Sequence, residues 1–171
     1  MLEPLGVEVE HSTADCDEIQ ADSLREVVLG CLAQLKEQGL RDFVIDDSGL
    51  FVPALKGFPG VYSSYALKTV GLDGLLRLLD GTKDRSAYFE CCIGACIGGK
   101  EFVVSGRCDG AIALGPSGTE GFGFDPLFVP SGYDRTFAEI SIGEKNRISH
   151  RGKAVQAFSE ELRRRLDGTQ G

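Results

Sequence analysis

"SAYFECCIGACIGGKEFVVSGRCDGAIAL", residues 86–114, decides the fold class. From Ala87 onward apolar residues recur at every second position (Ala87, Phe89, Cys91, Ile93, Ala95 and Ile97), which is the period of a strand with one buried face. Gly98-Gly99 follows. Both glycines tolerate the positive φ of a two-residue hairpin turn, and Phe102 to Ala113 reads as the returning strand. A long antiparallel hairpin is predicted.

Around it the period changes to that of helices. Ser23 with Glu26 three residues later forms a capping-box signature, after which Leu24, Val28, Cys31 or Leu32, and Leu35 recur at helical spacing up to Gly39. About four turns are expected. Tyr62, Tyr65, Ala66 and Val70 predict a helix broken near Gly71, and Leu72, Leu75, Leu76 and Leu79 begin another. Ser141 and Glu144 repeat the capping signature, while Val155, Phe158, Leu162 and Leu166 mark a C-terminal amphipathic helix. Val7 to Val9 alternates as an edge strand does. The class is α/β: a twisted mixed sheet carrying the hairpin, flanked by helices.

Phe43-Val44-Ile45 reads as a short buried strand, with Ser48-Gly49 as its break and Asp46 and Asp47 at its C-terminal end. Loops at strand ends are where scaffolds hold chemistry, although an aspartate there also serves simply to bond nearby backbone N–H groups. Adjacent side chains on a strand point to opposite faces. One acid is therefore expected to face the cleft and the other to support it.

Composition narrows the function. The 171 residues suffice for one domain with a real core, and no apolar run approaches the ~20 residues of a membrane span. A formal net charge of -8 argues against a nucleic-acid partner, since the phosphate backbone is met by clustered Lys and Arg. A small anion remains possible with a cation's help. The opening residues, MLEPLGVEVEH, carry neither a signal-peptide nor a transit pattern, so the expected address is cytoplasmic. In that setting the six cysteines read as free buried thiols. Cys92 and Cys96 form a single pair far from both histidines, which is not a zinc pattern.

Two further segments carry candidate chemistry. GPSGTEGFGFDP, residues 115–126, holds too many glycines and prolines for a regular element and reads as a loop. Its phenylalanines either plug the core or offer a stacking surface for a base, and it lacks the pattern of a phosphate loop. Residues 144–152 gather Lys145, Ser149, His150 and Arg151, donors suited to a carbonyl-rich ring edge and equally to a solvated helix start.

Taken together, EIQADS (18–23), DDSGL (46–50), GFPGVYSSY (57–65), GFGFDPLF (121–128) and EKNRISHRGKA (144–154) stand in the order of a known family. From about Leu2 to about Leu166 the chain resembles the inosine triphosphate pyrophosphatase family, in its archaeal type. The resemblance implies a single domain over residues 1–171, an active-site cleft between two lobes and a homodimer. The implied reaction is hydrolysis of ITP, dITP or XTP to the monophosphate and pyrophosphate with Mg2+. Glu18 and Asp47 match the family's metal-binding acids. Asp47 also matches the general base, with Asp46 as the candidate helper. Ser48 matches a phosphate or sugar contact, Phe122, Gly123, Phe124 and Asp125 the base-binding loop, and Lys145, His150 and Arg151 the residues around the base edge, with Ser149 beside them a further candidate donor.

The chain also departs from the pattern. Family members begin with a strand and a Gly-Asn-x-x-Lys motif that grips phosphate, whereas MLEPLG stands here where the region after that motif is expected. The chain is expected to be N-terminally shortened. A family lysine falls at Gly30, with Lys56, Lys68 and Lys153 as substitutes. Two rivals follow: a relative that binds purine nucleotides without hydrolysing them, and a metal-independent acid-pair glycosidase.

Overall fold

Twelve hairpin pairs, from Ser86↔Ala111 to Ile97↔Lys100, join the two longest strands of the protein. A computed structural model describes residues 8–167. The elements run α1 (Leu24–Glu37), β1 (Phe43–Phe51), β2 (Pro59–Gly60), α2 (Ser63–Thr69), α3 (Gly71–Leu78), β3 (Ser86–Ile97), β4 (Lys100–Ile112), β5 (Phe128–Pro130), α4 (Ile142–Ile148) and α5 (His150–Asp167). Sheet order is β2-β1-β3-β4-β5. All four pairings are antiparallel, so the expected mixed sheet is antiparallel throughout among the described residues.

Gly98 and Gly99 take φ of 57° and 75°, as the turn requires. The expected alternation holds only from Ser86 to Glu90; Cys91 to Cys96 are all buried, because helices cover both faces of β3 there. Cys91, Ile93 and Ala95 pack under Ala154, Phe158 and Leu162 of α5. On the other face Cys92 meets Leu24, Val28 and Leu32 of α1. Helix α1 can sit so close because β3 has glycine beneath it: a Cβ at Gly94 would lie 2.4 Å from Val28. Gly106 of β4 plays the same part for α5, since a Cβ there would meet the Ala154 nitrogen at 2.2 Å. A third cluster fills the open end of the hairpin, where Phe89, Phe128 and Phe137 meet α2 and α3.

The helix signatures are realised. Ser23 and Glu26 form the full capping box, Ser141 Oγ accepts the Glu144 N–H, and Gly71 with φ 65° separates α2 from α3. No helix among the described residues is long and apolar enough to cross a membrane.

Three further expectations are corrected. The short strand predicted to end with the acids and break at Ser48-Gly49 is a nine-residue strand that runs on through that pair to Phe51. Its pairing with β3 continues as Asp46↔Ile93, Asp47↔Cys92 and Ser48↔Cys91, so ladder hydrogen bonds outweigh the weak strand preference of Asp, Ser and Gly. Its buried end is Gly49–Phe51, whereas Val44 is exposed. The edge strand expected at 7–9 is not formed at Glu8 and Val9, and Val7 lies outside the described residues. The cysteines are not all free: Cys16 and Cys31 form a disulfide with Cα atoms 5.4 Å apart. The pairing arises because the irregular segment before α1 folds back along that helix, a tertiary contact with no local signature. Cys91, Cys92, Cys96 and Cys108 are free and buried, as expected.

Candidate active site

Strand alternation divides the two acids. Asp47 stands in register with Cys92 on the α1 face, and Ser48 with Cys91 on the α5 face, which Asp46 shares. Asp47 Oδ1 accepts the Ser48 N–H at 2.7 Å. Its other oxygen, Oδ2, is buried and has no hydrogen-bond partner. Burial pushes the Asp47 carboxyl up to about 6, with the like charges of Glu18 and Asp46 adding to the rise and the Ser48 N–H and Arg151 opposing it. Ser48 Oγ is also buried without a partner. Asp46 Oδ2 lies 3.5 Å from Arg151 Nη2 and accepts from the Cys91 thiol at 3.9 Å.

Glu18 reaches the same place from the segment ahead of α1. A hollow of about 230 Å³ is lined by Asp15, Cys16, Glu18, Cys31, Asp46 and Asp47, over an apolar floor from α1 and Ile45. Among the described residues no three carboxylates, imidazoles or thiols converge into a ready metal cage. What the acids do offer is an unpaired carboxylate oxygen in a field of like charge. That donor set fits a hard divalent cation, because Mg2+ takes one or two carboxylates and fills its remaining positions with water and substrate phosphate. Gly30 lets this segment close down on α1, since a Cβ there would stand 3.1 Å from Ile19.

The glycine-rich loop is built around Asp125. This residue is buried, and its Oδ2 accepts the Phe122 N–H at 2.7 Å and pairs with Lys145 Nζ at 2.5 Å. Phe124 turns inward to the core, and Phe122 turns out with 62 % of its surface exposed. One ring thus plugs the core, and the other presents an open face. Gly123 has φ 67° with open space around it. Lys145 Nζ lies 4.9 Å from the Phe122 ring centroid and Arg151 Cζ 5.4 Å, so the exposed ring is flanked by two cations.

The junction of α4 and α5 supplies the rest. Ser149 is buried, and its hydroxyl accepts the Gly152 N–H at 3.1 Å, steadying the first turn of α5. His150 stacks on Phe89 at 4.6 Å, and its Nδ1 is buried without a partner. Burial, then the cations Arg151 and Lys145, push the imidazole down to about 3. His150 is neutral at pH 7. Arg151 touches both the acid end through Asp46 and the ring end through Phe122. Of the substitute lysines, Lys153 is engaged with the Arg107 carbonyl at 2.9 Å, Lys56 ends a 3-10 turn and Lys68 lies in α2.

Sequence reasoning missed Cys16, Cys31, Gln34 and Gln38, which tie the Glu18 segment to α1. The only available signal was that positions 31, 34 and 38 share one helical face.

Comparison with known proteins identifies the family. The profile of the Ham1 family matches residues 1–161. A dITP/XTP pyrophosphatase from Thermococcus kodakarensis is 52% identical over 165 residues, 96% of this chain and 89% of that protein. One from Pyrococcus horikoshii is 49% identical, covering 95% of this chain and 87% of its own. Among solved structures, the Ham1 protein of Staphylococcus aureus superposes with a TM-score of 0.82 at 33% identity, over 88% of this chain and 81% of that one. The chain belongs to the Ham1 family.

Proposed function

We propose that this protein hydrolyses deaminated purine nucleoside triphosphates, ITP, dITP and XTP, to the monophosphate and pyrophosphate. The observation that carries the reading is the buried, unpartnered Asp47 Oδ2 in a hollow shared with Glu18 and Asp46, with Asp46 linked through Arg151 to the exposed Phe122 ring between two cations. The names of the archaeal relatives support the substrate class.

Glu18 and Asp47 would hold Mg2+ in this reading. Bound there, the cation would supply charge screening between the triphosphate and the acids and Lewis-acid polarisation of the phosphoryl group. Burial lifts Asp47 to about 6 in the cation-free protein, but a carboxylate coordinating the cation is a weaker base, so we assign Asp46 as the helper that shares the proton of the attacking water. Asp46 holds Arg151, and Arg151 and Lys145 keep Phe122 in place to stack on the purine. Lys145, His150 and Arg151 are the donors we assign to the six-position carbonyl. Adenine would set its amino group against those donors, at a loss of about 1 to 3 kcal/mol per unpaired group. Ser48 is assigned to phosphate or sugar. The reading extends to one catalytic domain, a homodimer and a cytoplasmic address, on the strength of the family resemblance.

The test is pyrophosphate release from ITP, XTP and ATP with Mg2+, with Asp47→Asn as control. Turnover of ITP or XTP well above ATP, abolished by a chelator and by the substitution, is the expected result. ITP binding without Asp47-dependent turnover would sink it in favour of a nucleotide-binding relative.

A further inference from the structure

Glu18 belongs to no helix or strand, yet its place opposite Asp47 is what the acid site depends on. Three side chains on one face of α1 hold the residues just before it. Gln34 makes a reciprocal pair with the Asp17 backbone, accepting its N–H at 2.9 Å and donating to its carbonyl at 2.8 Å. Gln38 donates to the Asp15 carbonyl at 3.0 Å. Cys31 is bonded covalently to Cys16. The disulfide also lines the same hollow as Glu18, Asp46 and Asp47.

We infer that the Cys16–Cys31 disulfide is a redox-sensitive strap that positions Glu18, so that its reduction weakens divalent-cation binding while leaving the fold intact. The amide bonds from Gln34 and Gln38 are solvent-exposed and exchange readily with water. Without the covalent link they alone oppose the entropy of a segment that has no regular structure. Helix α1 does not rely on the strap, since its own capping box and its packing on β3 hold it. Reduction by a dithiol breaks the S–S bond: two electrons and two protons yield the Cys16 and Cys31 thiols, and the reductant leaves as its own disulfide. The strap rests on the cation site proposed above, and its test separates the two.

The experiment titrates Mn2+, an octahedral oxygen-seeking probe, into the full chain by calorimetry before and after reduction, with thiols counted by mass spectrometry. Loss of a positioning contact weakens metal binding about ten- to a hundredfold, and that is the expected change on reduction. Cys16→Ser with Cys31→Ser should bind as the reduced protein does and ignore the reductant. Hydrogen exchange should accelerate at residues 14–19 while α1 and β3 keep their protection. Equal Mn2+ affinity in verified oxidised and reduced protein overturns the strap. Loss of protection across α1 overturns it in favour of general destabilisation. No Mn2+ binding in either state overturns the cation site itself, and the strap with it.

Discussion

Arg151, at the first turn of α5, reaches across to strand β1 and places Nη2 3.5 Å from Asp46 Oδ2. The same guanidinium stands 5.4 Å from the Phe122 ring centroid, so one residue joins an acid of β1 to the exposed ring of the glycine-rich loop. Both partners of the ion pair are about half exposed, which limits its own worth to under about 1 kcal/mol. Its value lies in aim rather than strength.

Replacing Arg151 should therefore act on substrate binding more than on folding. Arg151→Ala is expected to raise the KM for ITP about tenfold, or about 1.4 kcal/mol, with little change in Tm. Arg151→Lys should recover only part of this, because an ammonium lacks the planar fork. A double-mutant cycle with Asp46→Asn should show coupling of roughly 0.5 to 1 kcal/mol, and strict additivity would contradict the spanning role.

The two loop phenylalanines should separate cleanly. Phe122→Ala removes an exposed ring and should leave stability unchanged while costing about 1 to 3 kcal/mol in nucleotide binding. Phe124→Ala opens the core and should cost about 3 to 5 kcal/mol in stability by urea unfolding. Equal effects of the two on binding would mean that the stacking ring is misassigned.

Asp125 and Lys145 form a pair almost removed from water, with side chains 3% and 12% exposed. Truncating one partner of such a pair strands the other charge, so Asp125→Ala should destabilise by about 3 to 5 kcal/mol. Lys145→Met should cost less, because an apolar chain of similar length fills the site and the Asp125 carboxylate keeps the Phe122 N–H as a partner. Chemical unfolding of both variants at pH 7 measures the asymmetry.

The acid site predicts an unusual pH response for the cation-free protein. Asp47 binds its proton more tightly folded than unfolded, so its contribution to stability is fully present below about 4 and is lost as pH rises toward 6. Above that, its charge opposes folding. Asp47→Asn should then raise Tm at pH 7.5 under chelation by about 2 to 4 °C, near 1 kcal/mol once solvent screening at this partly buried site is allowed for. At pH 4 the gain should vanish. Thermal melts across this range check it, and Mg2+ should stabilise the natural protein but not the variant.

Much of the frame was legible because its causes are local. The Ser23–Glu26 cap, the Gly98–Gly99 turn and the break at Gly71 each depend on residues within a few positions of one another. The site residues were legible one by one as chemistry, and the family motifs grouped them. The strand through Asp46 and Asp47 was not legible, since its residues favour turns and only the β3 ladder holds them extended. Nor was the Cys16–Cys31 pairing, which joins residues far beyond the reach of any local rule.

By itself the sequence determined the hairpin, the capped helices and the kinds of group available, because periodicity and capping are written in neighbouring side chains. The tertiary structure alone decided that Asp47 lies on the α1 face in a hollow it shares with Glu18 while Asp46 pairs with Arg151, and that Phe122 faces out while Phe124 faces in. Those choices follow from strand pairing, helix docking on Gly94 and Gly106, and the fold-back of the first segment. Each is a contact between distant parts of the chain, whose free energy exists only once the core has formed.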